Sequence, residues 1–109
     1  MNIYDTANQL AHEIRESEEY KQYKASKNYI ANNAELKEKV EEFEQLRYDV
    51  QLLSLQGETE EGKKKKLEEM YTILVQDQEI KKYFDLEIKF NVMIADINKI
   101  IAEAIRDVL

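Results

Sequence analysis

The chain contains no proline and only two glycines, Gly57 and Gly62, among its 109 residues. Proline removes a helical hydrogen bond and clashes with the preceding turn, and glycine weakens a helix by about 1 kcal/mol relative to alanine. A chain almost free of both has few places where a helix must stop. Tight hairpins and Greek-key connections depend on the same residues, so a β-sandwich or barrel is disfavoured. Cysteine is also missing. That excludes a disulfide framework, a cysteine nucleophile and thiolate-bound zinc or iron–sulfur centres. With 36% charged and 43% hydrophobic residues, the composition fits strongly amphipathic helices in a single domain spanning residues 1–109.

The apolar period is helical nearly throughout. Ile3, Ala7, Leu10, Ala11 and Ile14 recur at steps of three and four, which places them on one face of a helix from about Ile3 to Arg15. Ser17 reads as the cap of the next helix, with Glu18 and Glu19 at its positive end. That helix carries Tyr20, Tyr23, Ser26 or Lys27, and Ile30. Asn32 followed by Glu35 has capping-box spacing and predicts a third helix from about Ala34 to Leu55. Its stripe is Leu36, Val40, Phe43, Leu46, Val50 and Leu53. Gly57 is placed to take the left-handed conformation past the last turn, and Thr59 to cap a fourth helix bearing Leu67, Met70, Tyr71 and Leu74. Asp77 should cap the fifth, whose stripe runs through Ile80, Phe84, Phe90, Met93, Ile94, Ile97 and Ile101 toward the C-terminus. A break near Tyr83–Leu86 is compatible with the pattern but not demanded by it.

Length then bears on assembly. The third helix should be roughly 33 Å long, and a fifth helix of about 32 residues roughly 48 Å, at 1.5 Å per residue. A compact 100-residue domain has a radius of gyration of only about 13 Å. The expectation is therefore an all-α, extended antiparallel bundle of about five helices, completed by oligomerisation. The simplest form is a two-fold homodimer, with a higher even oligomer as the extension. The candidate oligomer or partner interface comprises Leu36, Val40, Phe43, Leu46, Val50 and Leu53 of the third helix with Phe90, Met93, Ile94, Ile97 and Ile101 of the fifth.

No constellation of catalytic residues is recognisable, and no catalytic, cofactor or metal residue is assigned. His12 is the single histidine, with Glu16 one turn on. Two ligands make a poor zinc site, so the ordinary reading is a surface histidine. Glu38, Glu41, Glu42 and Glu44 flank the apolar stripe without the Glu-x-x-His pattern of di-iron bundles. The Lys63–Lys66 run sits among Glu58, Glu60, Glu61, Glu68 and Glu69 and reads as a solvated, salt-bridged turn. Direct nucleic-acid contact is disfavoured by a formal charge of −7 spread over every segment. Among seven tyrosines, Tyr20, Tyr23, Tyr71 and Tyr83 fall on apolar faces and Tyr29 and Tyr48 at stripe edges, which suits helix packing. No apolar run approaches the roughly 20 residues of a membrane span, and no basic-then-apolar leader opens the sequence, so the expected location is the cytoplasm.

Several segments resemble a known family. Residues 2–30, with Asn2-Ile3-Tyr4-Asp5, Leu10-Ala11, Ile14, Glu16-Ser17-Glu18-Glu19-Tyr20 and Tyr23-Lys24, are similar to the YlbF/YmcA family of small helical bacterial proteins. Gln56-Gly57 after a long helix and the run Ala95-Asp96-Ile97-Asn98-Lys99-Ile100-Ile101 strengthen the likeness, which is closest to the YheA-like branch. The resemblance implies an all-α, oligomeric, cytoplasmic protein of Gram-positive bacteria. It also implies a non-catalytic, partner-binding role, because better-studied relatives act in a complex that affects RNA processing, competence, biofilm formation and sporulation. That complex is associated with iron–sulfur clusters. Without cysteine, this chain offers such a cluster no thiolate ligand.

Overall fold

A computed structural model describes residues 2–58 and 60–109. Among them lie five α-helices and no strand: α1 (Ile3–Glu16), α2 (Glu18–Ala31), α3 (Ala34–Leu55), α4 (Glu61–Leu74) and α5 (Gln78–Ile105). The all-α expectation holds, and the bounds of α3 coincide with those read from its stripe.

Local chemistry explains most of the boundaries. Asn2 opens α1 by accepting from the Asp5 amide at 2.9 Å. Ser17 works on both sides of its break. Its hydroxyl donates to the Ile14 carbonyl at 2.6 Å and accepts from the Tyr20 amide at 3.2 Å, ending α1 and starting α2. Asp77 caps α5 by accepting from the amides of Glu79 and Ile80 at 2.9 and 3.2 Å. Past α3, Gly57 adopts φ +76°. The Glu58 amide donates to the Leu53 carbonyl at 2.9 Å and the Gly57 amide to the Ser54 carbonyl at 3.1 Å. This is the Schellman closure, which satisfies carbonyls that the helix end would otherwise leave open.

Two boundaries correct the sequence reading. Asn33, not Asn32, caps α3, accepting from the Leu36 amide at 3.1 Å. A capping side chain sits just before the helix and accepts from the amide of its second or third residue, and α3 begins at Ala34, so Asn33 holds the cap position. The fifth helix is continuous through Tyr83–Leu86 but has 28 residues, and its end tightens into a 3-10 turn at Arg106–Val108. Tightening of this kind is one way a helix end satisfies its last carbonyls. The expected Thr59 cap lies outside the described residues. Glu60 takes the cap position of α4 without a side-chain hydrogen bond.

The chain divides into two compact units, residues 28–82 and residues 1–27 with 83–109. In the first, α4 runs antiparallel to α3: Phe43 meets Tyr71 with ring centroids 6.1 Å apart, Lys39 lies near Leu74, and Val50 near Leu67. Its buried apolar residues are Ile30, Leu36, Val40, Phe43, Leu74 and Ile80, the last only 1% exposed. In the second, Ser26, Tyr83, Phe84 and Leu86 are buried. Of the two sequence alternatives on α2, Ser26 therefore faces inward and Lys27 outward.

Removing the cap at Asn33 by Asn33→Ala should cost about 1 kcal/mol of stability, whereas Asn32→Ala should stay within about 0.5 kcal/mol. Urea unfolding monitored by circular dichroism distinguishes them. Equal losses at the two positions would contradict the observed cap.

Candidate functional site

The helices of the unit formed by residues 1–27 and 83–109 meet through aromatic rings. Tyr23 of α2 lies 5.7 Å from Tyr83 and 5.5 Å from Phe90 of α5, centroid to centroid, and Tyr20 lies 6.2 Å from Phe90. These separations are those of favourable tilted ring pairs. The Tyr23 hydroxyl donates to Glu87 at 3.4 Å, keeping its polar end at the rim. Lys24 and Lys27 place their ammonium groups 5.8 and 5.4 Å from the centroids of Tyr20 and Tyr23, within cation–π range. The tyrosines expected on apolar faces thus divide. Tyr83 is buried, Tyr20 and Tyr23 are half-buried, and Tyr71 remains 41% exposed beside Phe43. Tyr29 and Tyr48 are exposed, as their edge positions implied.

The candidate interface residues also divide. Leu36, Val40 and Phe43 are buried by the chain itself. Leu46, Val50 and Leu53 farther along α3 are half-buried, as are Phe90, Met93, Ile94 and Ile97 of α5, and Ile101 is 49% exposed. Beyond them Ile100 is 68% and Ile105 41% exposed. At the other end of the sequence, α1 buries no residue despite its regular apolar face. Sequence periodicity identified the faces but not the fraction of each that the chain covers by itself.

Between α3, α4 and the start of α5 lies an apolar pocket of about 200 Å³, with Met70, Ile73, Leu74 and Ile80 below and Lys39, Glu42 and Asp77 at its rim. Ligand pockets usually run to about 300–1,000 Å³ and converge several polar groups. Here Asp77 is committed to capping α5, and Lys39 pairs with Glu35 at 3.2 Å. The pocket has the size of a single side chain.

The charged groups weighed in the sequence lie on the surface. His12 is exposed, and Glu16 pairs with Lys21 at 3.3 Å. Glu41 lies 3.9 Å from Lys37, and Lys63 lies 3.9 Å from Glu60. Lys64 is half-buried, and Lys65 and Lys66 are exposed. Among the described residues, no three His, Asp or Glu side chains are grouped to hold a metal ion. No helix there is long and apolar enough to cross a membrane.

Over residues 3–106 the chain matches the family described as control of competence regulator ComK, YlbF/YmcA. It is 34% identical over 110 aligned positions to a UPF0342 protein of Desulfitobacterium hafniense, a match covering all of this chain and 89% of that protein. It is 35% identical over 105 positions to a UPF0342 protein of Caldicellulosiruptor saccharolyticus, covering 95% and 88%. A UPF0342 protein of Bacillus mycoides is 34% identical over 107 positions, covering 97% and 92%. The chain belongs to the YlbF/YmcA family.

Replacing Tyr23 separates ring packing from hydrogen bonding. Tyr23→Phe should change stability by less than about 0.5 kcal/mol, because the bond to Glu87 is long and partly solvated. Tyr23→Ala should cost about 2 kcal/mol, below the value for a fully buried ring. Thermal unfolding of the two variants checks the order.

Proposed function

We propose that the protein is a non-catalytic, homo-oligomeric helical adaptor that regulates by binding other proteins, with residues 1–109 acting as one cytoplasmic domain without a cofactor. The observation that carries this reading is the open apolar surface on regular helices. No side chain of α1 is fully buried by the chain, with Leu10 and Ile14 only half-covered, and the last turns of α5 leave Ile100, Ile101 and Ile105 exposed. Covering a side chain of this kind contributes about 1.5–3 kcal/mol. A stable protein contact needs about 800 Å² on each side, an area within reach of two such helices. The half-covered stripe of Met93, Ile97 and Ile101 supplies the partner-facing side of this surface.

A second reading makes the protein an accessory factor in bacterial RNA processing and development, including competence, biofilm formation and sporulation. The family's description as a control of a competence regulator favours it. The net charge of −7 directs that role toward protein contacts more than toward RNA itself.

Multi-angle light scattering at micromolar concentration should return the mass of two chains or an even multiple. A single-chain mass would refute the homo-oligomer. For the second reading, mapped transcript ends should shift in a deletion strain, and unchanged ends would count against it.

A further inference from the structure

Opposite the stripe that meets α2, the same helix carries a second seam. Ile88, Val92 and Ala95 follow one another at steps of four and three, about half a turn around α5 from Phe90, Ile94 and Ile97. All three are exposed, Ile88 at 57% and Val92 at 54%. Exposed charges flank them in a definite order. Asp85 and Lys89 stand seven and three residues before Val92, and Asp96 and Lys99 stand four and seven after it. To within one residue, each charge has its opposite at the same distance on the far side of Val92. Reversing the helix about that point exchanges acid for base.

We propose that two copies of the chain pair α5 against α5 along this seam, antiparallel, with the two-fold axis beside Val92. The inference rests on the homo-oligomer reading above and assigns it an interface. In this arrangement Lys89 of one copy faces Asp96 of the second copy, Asp85 comes within reach of Lys99, and the two-fold axis makes each pair twice. A parallel pair in register would set every one of these charges against its own duplicate, so the charge order selects the antiparallel orientation. Ile88 and Val92 provide the apolar contact, and the small side chain of Ala95 lets the two backbones approach. Charge order that inverts about a single residue is what a self-complementary contact requires and what an unrelated partner does not. Asp85 also takes part in an interaction within its own chain, so Lys89 and Asp96 are the residues on which the test is built.

Sedimentation of the full chain at low salt reads the dimer dissociation constant. Lys89→Asp and Asp96→Lys, made singly, each set like charges opposite one another at two symmetric points and should raise that constant about tenfold. The double variant exchanges the charges and should return to within about threefold of the original. Because the sequence holds no cysteine, Val92→Cys gives a second reading. Mild oxidation should link two copies through this position, whereas Glu69→Cys on the exposed side of α4 should stay unlinked. A chain that still dimerises but shows no loss in the single variants, no recovery in the double variant, or no link through Val92→Cys overturns the seam and leaves the homo-oligomer standing. A chain that is monomeric at micromolar concentration overturns both.

Discussion

From Gln78 to Ile105 the backbone keeps its helical ladder without interruption, so every side chain along α5 is committed to a fixed direction. A regular helix turns its residues around all sides in under four positions, and α5 is apolar on two of those sides. The side bearing Phe90 meets the rings of α2. The side bearing Ile88 and Val92 meets nothing in the chain that covers it. A break in α5 would allow the later turns to fold over and hide some of this surface, and no residue capable of imposing such a break occurs there. The open faces follow from helix continuity as much as from hydrophobic content.

The parts of the fold that could be read from sequence are those governed by one residue's own chemistry. Ser17 and Asp77 present a side-chain oxygen three residues ahead of a free amide, and Gly57 accepts a positive φ at little cost. The adjacent asparagines at 32 and 33 defeat the same reasoning, because both have the right chemistry and only the register of the helix decides which has the reach. The cap at Asn2 follows the same rule, with the Asp5 amide three positions later as its donor. Local preference past Tyr83 fits a helix with or without a break, so sequence alone does not decide the continuity of α5. Tertiary burial of Tyr83, Phe84 and Leu86 accompanies the unbroken form.

The candidate surface was legible to a lesser degree for a physical reason. Periodicity shows that Leu36, Val40 and Phe43 share a face with Leu46, Val50 and Leu53, yet it carries no information about what lies against that face. In the structure the first three are buried and the last three are half-covered. Tyr71 shows the same limit: it falls on the apolar side of α4 by spacing and touches Phe43, but its ring remains partly in solvent. The identity of a covering element depends on distant parts of the chain, or on another chain, and a local pattern does not encode it.

The two compact units differ in how their residues are distributed along the chain. Residues 28–82 form one from a single contiguous stretch, whereas the other joins residues 1–27 to residues 83–109. Contacts between neighbouring stretches close small loops, and the entropy of closure grows with the length of chain enclosed. The α3–α4 hairpin can therefore settle as it emerges during synthesis, while the rings of Tyr20 and Tyr23 wait for Tyr83 and Phe90 to arrive. The first two helices spend that interval with their apolar faces uncovered. Closure of that unit is thus timed by the synthesis of α5, and until then the rings on α2 lack the partners that cover them.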